Sequence, residues 1–323
     1  MTDERAPCDY VAYFAKTRAD KLACLDLESG NALTYAALDD RASRLATVIA
    51  RMLGDATAGA RVAMLGRNSS DVVCLYLACM RTGAIFAPLN WRLSGAELSV
   101  LAHDMEPALV VFDPEFEHGA SSIAAVAPRA AALSTGPALE AEIAAAQPSS
   151  PFKHRRRMQD VTTLLFTSGT TGKPKGVMLT EANAEATAVN YSLSAEFGPT
   201  SVFLCDMPMF HVVGLLAVTR TALQLGATLL ISPRFEAQET LRRIGDPALG
   251  VTHYFCAPQM TQAMRDAPAF DPKALSRLTA LQTGGAPHPA AHVRKWLDEG
   301  VRVVDGFGMS EAGTVLGMPP GNL

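Results

Sequence analysis

With 323 residues, 49% of them hydrophobic, the chain can bury a large core and is long enough for more than one lobe. Its 32 acidic and 28 basic residues leave a formal charge of −4, too balanced for nucleic acid or an anionic membrane surface to be the main partner. The six cysteines, at positions 8, 24, 74, 79, 205 and 256, form neither a CxxC pair nor a zinc-like cluster, so reduced thiols and a cytoplasmic setting are expected.

The N-terminus carries Asp3, Glu4 and Arg5 and lacks the apolar run of a secretory signal. Thr34 is expected to cap a helix whose Leu38, Leu45, Val48, Ile49 and Met52 share one face at three-to-four spacing. A strand over Arg61–Leu65 follows, then a helix capped by Asn68 and running to about Met80, then a buried strand over Leu109–Phe112. Residues 120–147 are rich in alanine, and Pro148-Ser149-Ser150-Pro151 with the basic run 153–157 marks a polar connection. A loose linker is therefore expected near residues 120–160, and the basic run reads as a solvated charged face.

The next stretch carries the strongest chemical signal. Leu164, Leu165 and Phe166 read as a strand that runs into Thr167-Ser168-Gly169-Thr170-Thr171-Gly172-Lys173-Pro174-Lys175-Gly176. Glycines let backbone N–H groups approach anionic oxygens, the hydroxyls donate further hydrogen bonds, and the lysines neutralise charge, so this is a phosphate grip. It is not a Walker A loop, because Gly169 and Gly172 stand too close together and Pro174 occupies the position of the hydroxyl residue after Lys173.

Pro174 also discourages helix at Lys173, which delays the next helix to about Thr180. Strands are then expected near 202–205, 228–231, 251–255, 278–282 and 301–304. Arg220 and Gln224 interrupt the apolar segment 212–231, so it reads as a buried helix followed by a strand and not as an integral membrane segment. The alternation predicts an α/β protein of layered, mostly parallel sheets covered by helices.

Three stretches in order resemble the adenylate-forming, or AMP-binding, superfamily: the loop from Thr167 to Gly176, Pro208-Met209-Phe210-His211-Val212-Val213-Gly214, and Asp305-Gly306-Phe307-Gly308-Met309-Ser310-Glu311. Thr283-Gly284-Gly285-Ala286-Pro287 is similar to that family's adenine-side loop, and Leu33-Thr34-Tyr35 and Pro88-Leu89-Asn90 extend the likeness towards the N-terminus. Pro88-Leu89-Asn90-Trp91-Arg92 looks most like fatty- and aryl-acid CoA ligases. The resemblance implies activation of a carboxylic acid by ATP and Mg²⁺ to an acyl-adenylate, then transfer to coenzyme A. A carrier-protein acceptor, or a nucleotide- and acid-binding module without turnover, are the alternatives.

It further implies that Thr167, Ser168, Gly169, Thr170, Thr171, Gly172 and Lys175 hold the β- and γ-phosphates. Glu311, with Thr167, would hold the metal, and Thr167, Lys175 and Glu311 would be catalytic. Gly284, Gly285, Ala286, Pro287, Asp305, Gly306, Phe307, Gly308 and Ser310 would hold the nucleotide, with the Phe307 ring stacked on adenine. His211, Val213, Gly214, Cys256 and Gly284 would line the acid pocket. A medium-to-long fatty acid or an arylpropenoic acid is the expected substrate. The chain is expected to be an incomplete N-terminal adenylation domain of two interleaved α/β lobes, without the family's small C-terminal domain and its catalytic lysine.

Overall fold

The structure, a computed structural model, describes residues 6–148, 156–167 and 173–317. Chain order gives β1 (Leu22–Asp26), β2 (Ala32–Thr34), β3 (Arg61–Leu65), β4 (Ile85–Pro88), β5 (Leu109–Phe112), β6 (Ala131–Ser134), β7 (Val161–Thr167) and β8 (Lys175–Thr180). Then come β9 (Val202–Cys205), β10 (Thr228–Ile231), β11 (His253–Cys256), β12 (Ala280–Thr283), β13 (Val303–Met309) and β14 (Gly313–Gly317). The chain divides into two compact units, Met1–Ala19 with Tyr35–Ala182, and Asp20–Thr34 with Asn183–Leu323.

The first unit holds a six-stranded sheet in the order β6-β5-β3-β4-β7-β8. Its strands are parallel except β8, which runs antiparallel to β7. Arg61–Leu65 and Leu109–Phe112 are strands as expected, apolar almost throughout because helices cover both faces of a parallel sheet. The helix Tyr35–Leu53 buries Leu38, Ala42, Leu45, Ala46, Val48 and Ile49, the stripe that three-to-four spacing predicts.

The next helix, Ser70–Thr82, is capped by Ser69 and not by Asn68: the Ser69 hydroxyl accepts from the Val72 amide at 3.4 Å. Both residues are good caps, and register decides between them, since the cap side chain must reach the amide of the second or third helical residue. Gly83, at φ 79°, ends the helix in a left-handed cap.

The part of the expected loose linker before residue 146 is instead folded, and residues 149–155 lie outside the described residues. Residues 117–145 form the helix Glu117–Val126, strand β6 and the helix Pro137–Ala145, and β6 pairs in parallel with β5. Alanine is the strongest helix former, and Ile123, Leu133, Leu139 and Ile143 anchor the segment in the core. Of the basic run, Arg156 donates to Met80 O at 2.9 Å and Arg157 pairs with Asp160, while Lys153, His154 and Arg155 lie outside the described residues.

The second unit holds an eight-stranded sheet in the order β14-β13-β12-β11-β9-β10-β1-β2. The inner strands are parallel, and the edge strands β2 and β14 are antiparallel. From β9 the chain crosses first to β10 on one side and then to β11 on the other, so β9 is a topological switch point. Crevices for ligands open at such points, beyond the carboxyl ends of the strands.

One face of this sheet packs Leu204, Tyr254, Leu281, Trp296 and Val303 into a large core. On the opposite face Phe197 stacks near Phe203 and His253, with ring centroids 4.8 and 4.4 Å apart. Segment 212–231 is a buried π-helix, Val213–Arg220, continued by a short α-helix and β10. Among the described residues no helix is long and apolar enough to cross a membrane.

Candidate active site

At the carboxyl ends of β9, β11, β12 and β13 lies a cavity of about 440 Å³ built within the second unit. Each strand contributes through the loop that follows it. β9 leads through Met207 to His211, whose carbonyl accepts from Leu215 N at 3.1 Å at the entrance of the π-helix Val213–Arg220. Insertions of this kind recur where a helix must present side chains to a ligand. The helix sits unusually close to its loop: a Cβ on Gly214 would lie 2.6 Å from Met207 O, which only glycine tolerates.

Of the residues expected around the ligand, His211, Val213, Gly284, Gly285, Ala286, Gly306, Phe307, Gly308 and Ser310 line this one cavity. Three motifs far apart in sequence thus share a wall. The wall is backbone against backbone at its centre, where a Cβ on Gly284 would stand 2.7 Å from Gly306 O. Phe307 is 57% exposed, so its ring presents an open face.

Other expected residues lie elsewhere. Cys256 is a correction: it is fully buried in the core on the opposite face of the sheet, where its thiol donates to Gln282 O at 3.8 Å. Side chains alternate along a strand, so the neighbouring Phe255 takes the cavity position. Burial pushes the Cys256 thiol well above its usual pKa. Gly214 does not line the cavity but sets the approach of the helix that does. Asp305 is held from the side by the Thr283 hydroxyl, which donates to it at 2.7 Å, and neither Asp305 nor Pro287 forms the lining.

Glu311 is exposed in the turn between β13 and β14 and does not line the cavity. Among the described residues no group of three acidic, histidine or cysteine side chains could hold a metal. A lone exposed carboxylate nevertheless suits Mg²⁺, which keeps waters and substrate phosphates as its other ligands and seldom takes an all-protein cage. Thr167 and Lys175 are register partners across the β7–β8 hairpin of the first unit. Ser168, Gly169, Thr170, Thr171 and Gly172 lie outside the described residues.

Tyr191 and Gln282 line the cavity without having been singled out from sequence, as does Thr283, which was quoted only as the first residue of the loop 283–287. Gln282 left a trace there: it is a polar residue on the face of a strand that is buried throughout. Tyr191 left none, since a tyrosine near the end of the helix Glu181–Leu193 has no motif around it.

Among the described residues the lining contains no Asp, Glu, Lys or Arg, and His211 is its one histidine. Behind the wall, burial pushes the Asp206 carboxyl up to about 7 despite hydrogen bonds from Thr240 Oγ1 at 2.7 Å and the Tyr254 hydroxyl at 3.1 Å. Burial lowers His253 to about 4, so it is neutral near pH 7, with Nε2 at 3.0 Å from Ala195 O.

Residues 11–322 match the AMP-binding enzyme family. The chain is 36% identical over 284 residues to feruloyl-CoA synthase of Amycolatopsis sp, covering 88% of this chain and 55% of that protein. It is 32% identical over 285 residues to indoleacetate–CoA ligase of Aromatoleum aromaticum, covering 86% and 55%. The chain therefore spans about half the length of these curated relatives. In structure it is similar to ATP bound MatB from Rhodopseudomonas palustris, with a TM-score of 0.85, 27% identity, and coverage of 96% of this chain and 62% of that one. The inhibitor-bound N-terminal domain of FACL13 from Mycobacterium tuberculosis gives 0.85 at 26% identity, covering 94% and 75%. By motif order, by fold and by descent, the chain belongs to the AMP-binding enzyme family.

Proposed function

We propose that this chain carries the nucleotide- and acid-binding part of an AMP-forming acid–thiol ligase. In that reaction a carboxylate attacks the α-phosphorus of ATP and expels pyrophosphate, and the thiol of coenzyme A then displaces AMP to leave a thioester. The observation that carries the reading is the convergence of the glycine-rich loop after β12, the Gly306-Phe307-Gly308 strand and His211 on one cavity. An apolar cleft with a few convergent polar groups at a switch point is where such a substrate pair binds.

Phe307 offers a ring for adenine, and Ser310 a hydroxyl for the α-phosphate. His211 borders the acid and acts by shape and hydrogen bonding, since a carboxylate already ionised near neutral pH needs no general base. Carboxylate and triphosphate repel, by roughly 4 kcal/mol for unit charges about 4 Å apart at an effective dielectric near 20. The loop from Thr167 to Gly172 and Lys175 would offset that repulsion. Mg²⁺, held by Glu311 and phosphate oxygens, would supply further charge neutralisation when bound.

The uncharged lining favours an acid with a neutral tail. An amino acid would bury its ammonium with no carboxylate opposite, and a dicarboxylate would bury its second charge unpaired. Acid-dependent pyrophosphate exchange across a panel of fatty, aryl and amino acids tests this, with mass spectrometry for the acyl-CoA product. Neutral-tailed acids should support exchange. Nucleotide binding with no exchange for any acid would favour a binding module, and transfer to a carrier protein in place of coenzyme A would revise the acceptor.

A further inference from the structure

β9 runs apolar through Val202-Phe203-Leu204-Cys205 and is closed by Asp206, a carboxylate only 1% exposed. Three elements meet on it. Thr240 Oγ1, from the helix Ala237–Gly245, donates to Oδ2 at 2.7 Å, and Tyr254 Oη, from β11, reaches both oxygens at 3.1 Å. Arg243, on the same helix, adds its positive charge and donates to Ser232 Oγ at 2.5 Å. The Ser232 amide donates in turn to Cys205 O at 2.9 Å, so the ends of β9, β10 and β11 and one helix are tied at a single joint.

The next residue, Met207, lines the cavity, and so does His211 beyond it. Between them the chain bears closely on the π-helix, where a Cβ on Gly214 would collide with the carbonyls of Met207 and Pro208. Asp206 is thus the last fixed point of the sheet before the segment that forms this wall. We infer that Asp206 is a positioning residue: its carboxylate holds the start of segment 207–211, so that Met207 and His211 keep their places and the ionisation of one buried group sets how well the cavity activates its acid. The inference rests on the ligase reading for the activation step and adds a means of control to the same site.

Both hydroxyls donate to a charged acceptor, and such bonds are roughly twice as strong as neutral ones. Protonation places a hydrogen on one of these oxygens, so a hydroxyl donating there must turn and accept, and the joint slackens. Burial raises the Asp206 pKa to about 7, outweighing the hydrogen bonds from Thr240 and Tyr254 and the charge of Arg243. The other acids facing it, the Cys205 and Cys256 thiols and the Tyr254 phenol, are raised by burial as well, Cys205 to about 12, and stay protonated near neutral pH. A buried carboxyl that changes charge near neutral pH beside a ligand cavity is a kind of group that functional sites keep.

Methionine labelled at its methyl group, with the Met207 signal assigned through Met207→Leu, reports on the segment without any ligand. In the unaltered protein that signal should shift through one step centred near pH 7. Acid-dependent pyrophosphate exchange should rise through the same step by about threefold or more as the carboxylate forms. Asp206→Asn, its fold checked by thermal melt, should lose the step in both readings. Tyr254→Phe should move it upward by about half a pH unit or more, because the charged form loses a donor.

The same step in Asp206→Asn, no step in the Met207 signal, or a step that Tyr254→Phe leaves in place would each overturn the inference, and exchange with any acid would keep the ligase reading standing. If Asp206→Asn does not fold, Tyr254→Phe alone decides. Exchange that stays flat while Met207 titrates would overturn the link to activation. If no acid supports exchange while the Met207 step still follows Asp206, the ligase reading falls and the positioning of the segment remains.

Discussion

Each sheet ends in an antiparallel hairpin, β7–β8 in the first unit and β13–β14 in the second, and the two hairpins carry opposite chemistry at their turns. Beyond Thr167 the sequence of the first turn offers hydroxyls, glycines and two lysines, with residues 168–172 outside the described residues. The second is short. Met309 pairs with Gly313, Ala312 N donates to Met309 O at 3.1 Å, and the turn presents Ser310 and the acceptor Glu311. A parallel strand must be followed by a long crossover, whereas a hairpin returns at once and leaves its turn projecting from the strand end. On the proposed reading, the same device would serve phosphate oxygens in one unit and a hard cation in the other. The glycines differ in duty as well. In the first turn, on the proposed reading, they would admit an anion to the backbone, and in the second Gly313 makes room for the Thr187 side chain.

The largest effect is expected where glycine makes room for protein. Gly313 has φ 68°, and a Cβ there would run into the Thr187 side chain. Gly313→Val should cost about 3 kcal/mol or more through left-handed strain and collision together. Denaturant unfolding checks it, and a variant that melts like the parent would remove the steric role of the second hairpin.

Asp206 sharpens the contrast between a buried carboxylate and the exposed one at Glu311. Its folded pKa of about 7 stands above the ordinary 3.8, so between those values the folded state holds the extra proton. Its contribution is therefore most favourable at low pH and is lost as pH rises towards about 7. The slope approaches about 1.4 kcal/mol per pH unit within that window. Asp206→Asn should remove this term, and unfolding measured from pH 4 to 7 in both proteins should show the curves diverging. Parallel curves would mean that Asp206 is ionised throughout.

In the first hairpin, Gly169→Val should leave the melting temperature almost unchanged while weakening MgATP binding by about two orders of magnitude, because a β-branched side chain blocks backbone approach to the phosphates. Full nucleotide affinity in a folded variant would show that the loop is no phosphate grip.

Glu311→Gln should have the smallest effect, about tenfold in Mg²⁺-dependent nucleotide affinity, with stability within about 0.5 kcal/mol because the side chain is exposed. Calorimetry with and without the metal separates the two. Equal loss in both conditions would make Glu311 something other than a metal ligand.

Local signals were legible to the residue in places: Arg61–Leu65 and Leu109–Phe112 are the strands that their apolar runs predict, because a strand buried on both faces needs an unbroken run. Gly284 and Gly308 were legible as cavity residues for a similar reason, since close backbone approach leaves no other choice of residue, and Gly285 through its left-handed φ of 82°. Alanine-rich residues 117–145 misled, because composition reports flexibility only where no sheet edge is waiting, and β5 offered one. The sequence by itself determined most of the central strands, the family and the glycine wall of the cavity. Tertiary structure alone decided that Phe255 and not Cys256 lines the cavity, and that Tyr191 joins Gln282 in that lining. The face a strand presents depends on a period of two fixed by distant partners, and the packing of a helix over a sheet brings together residues that no local pattern links.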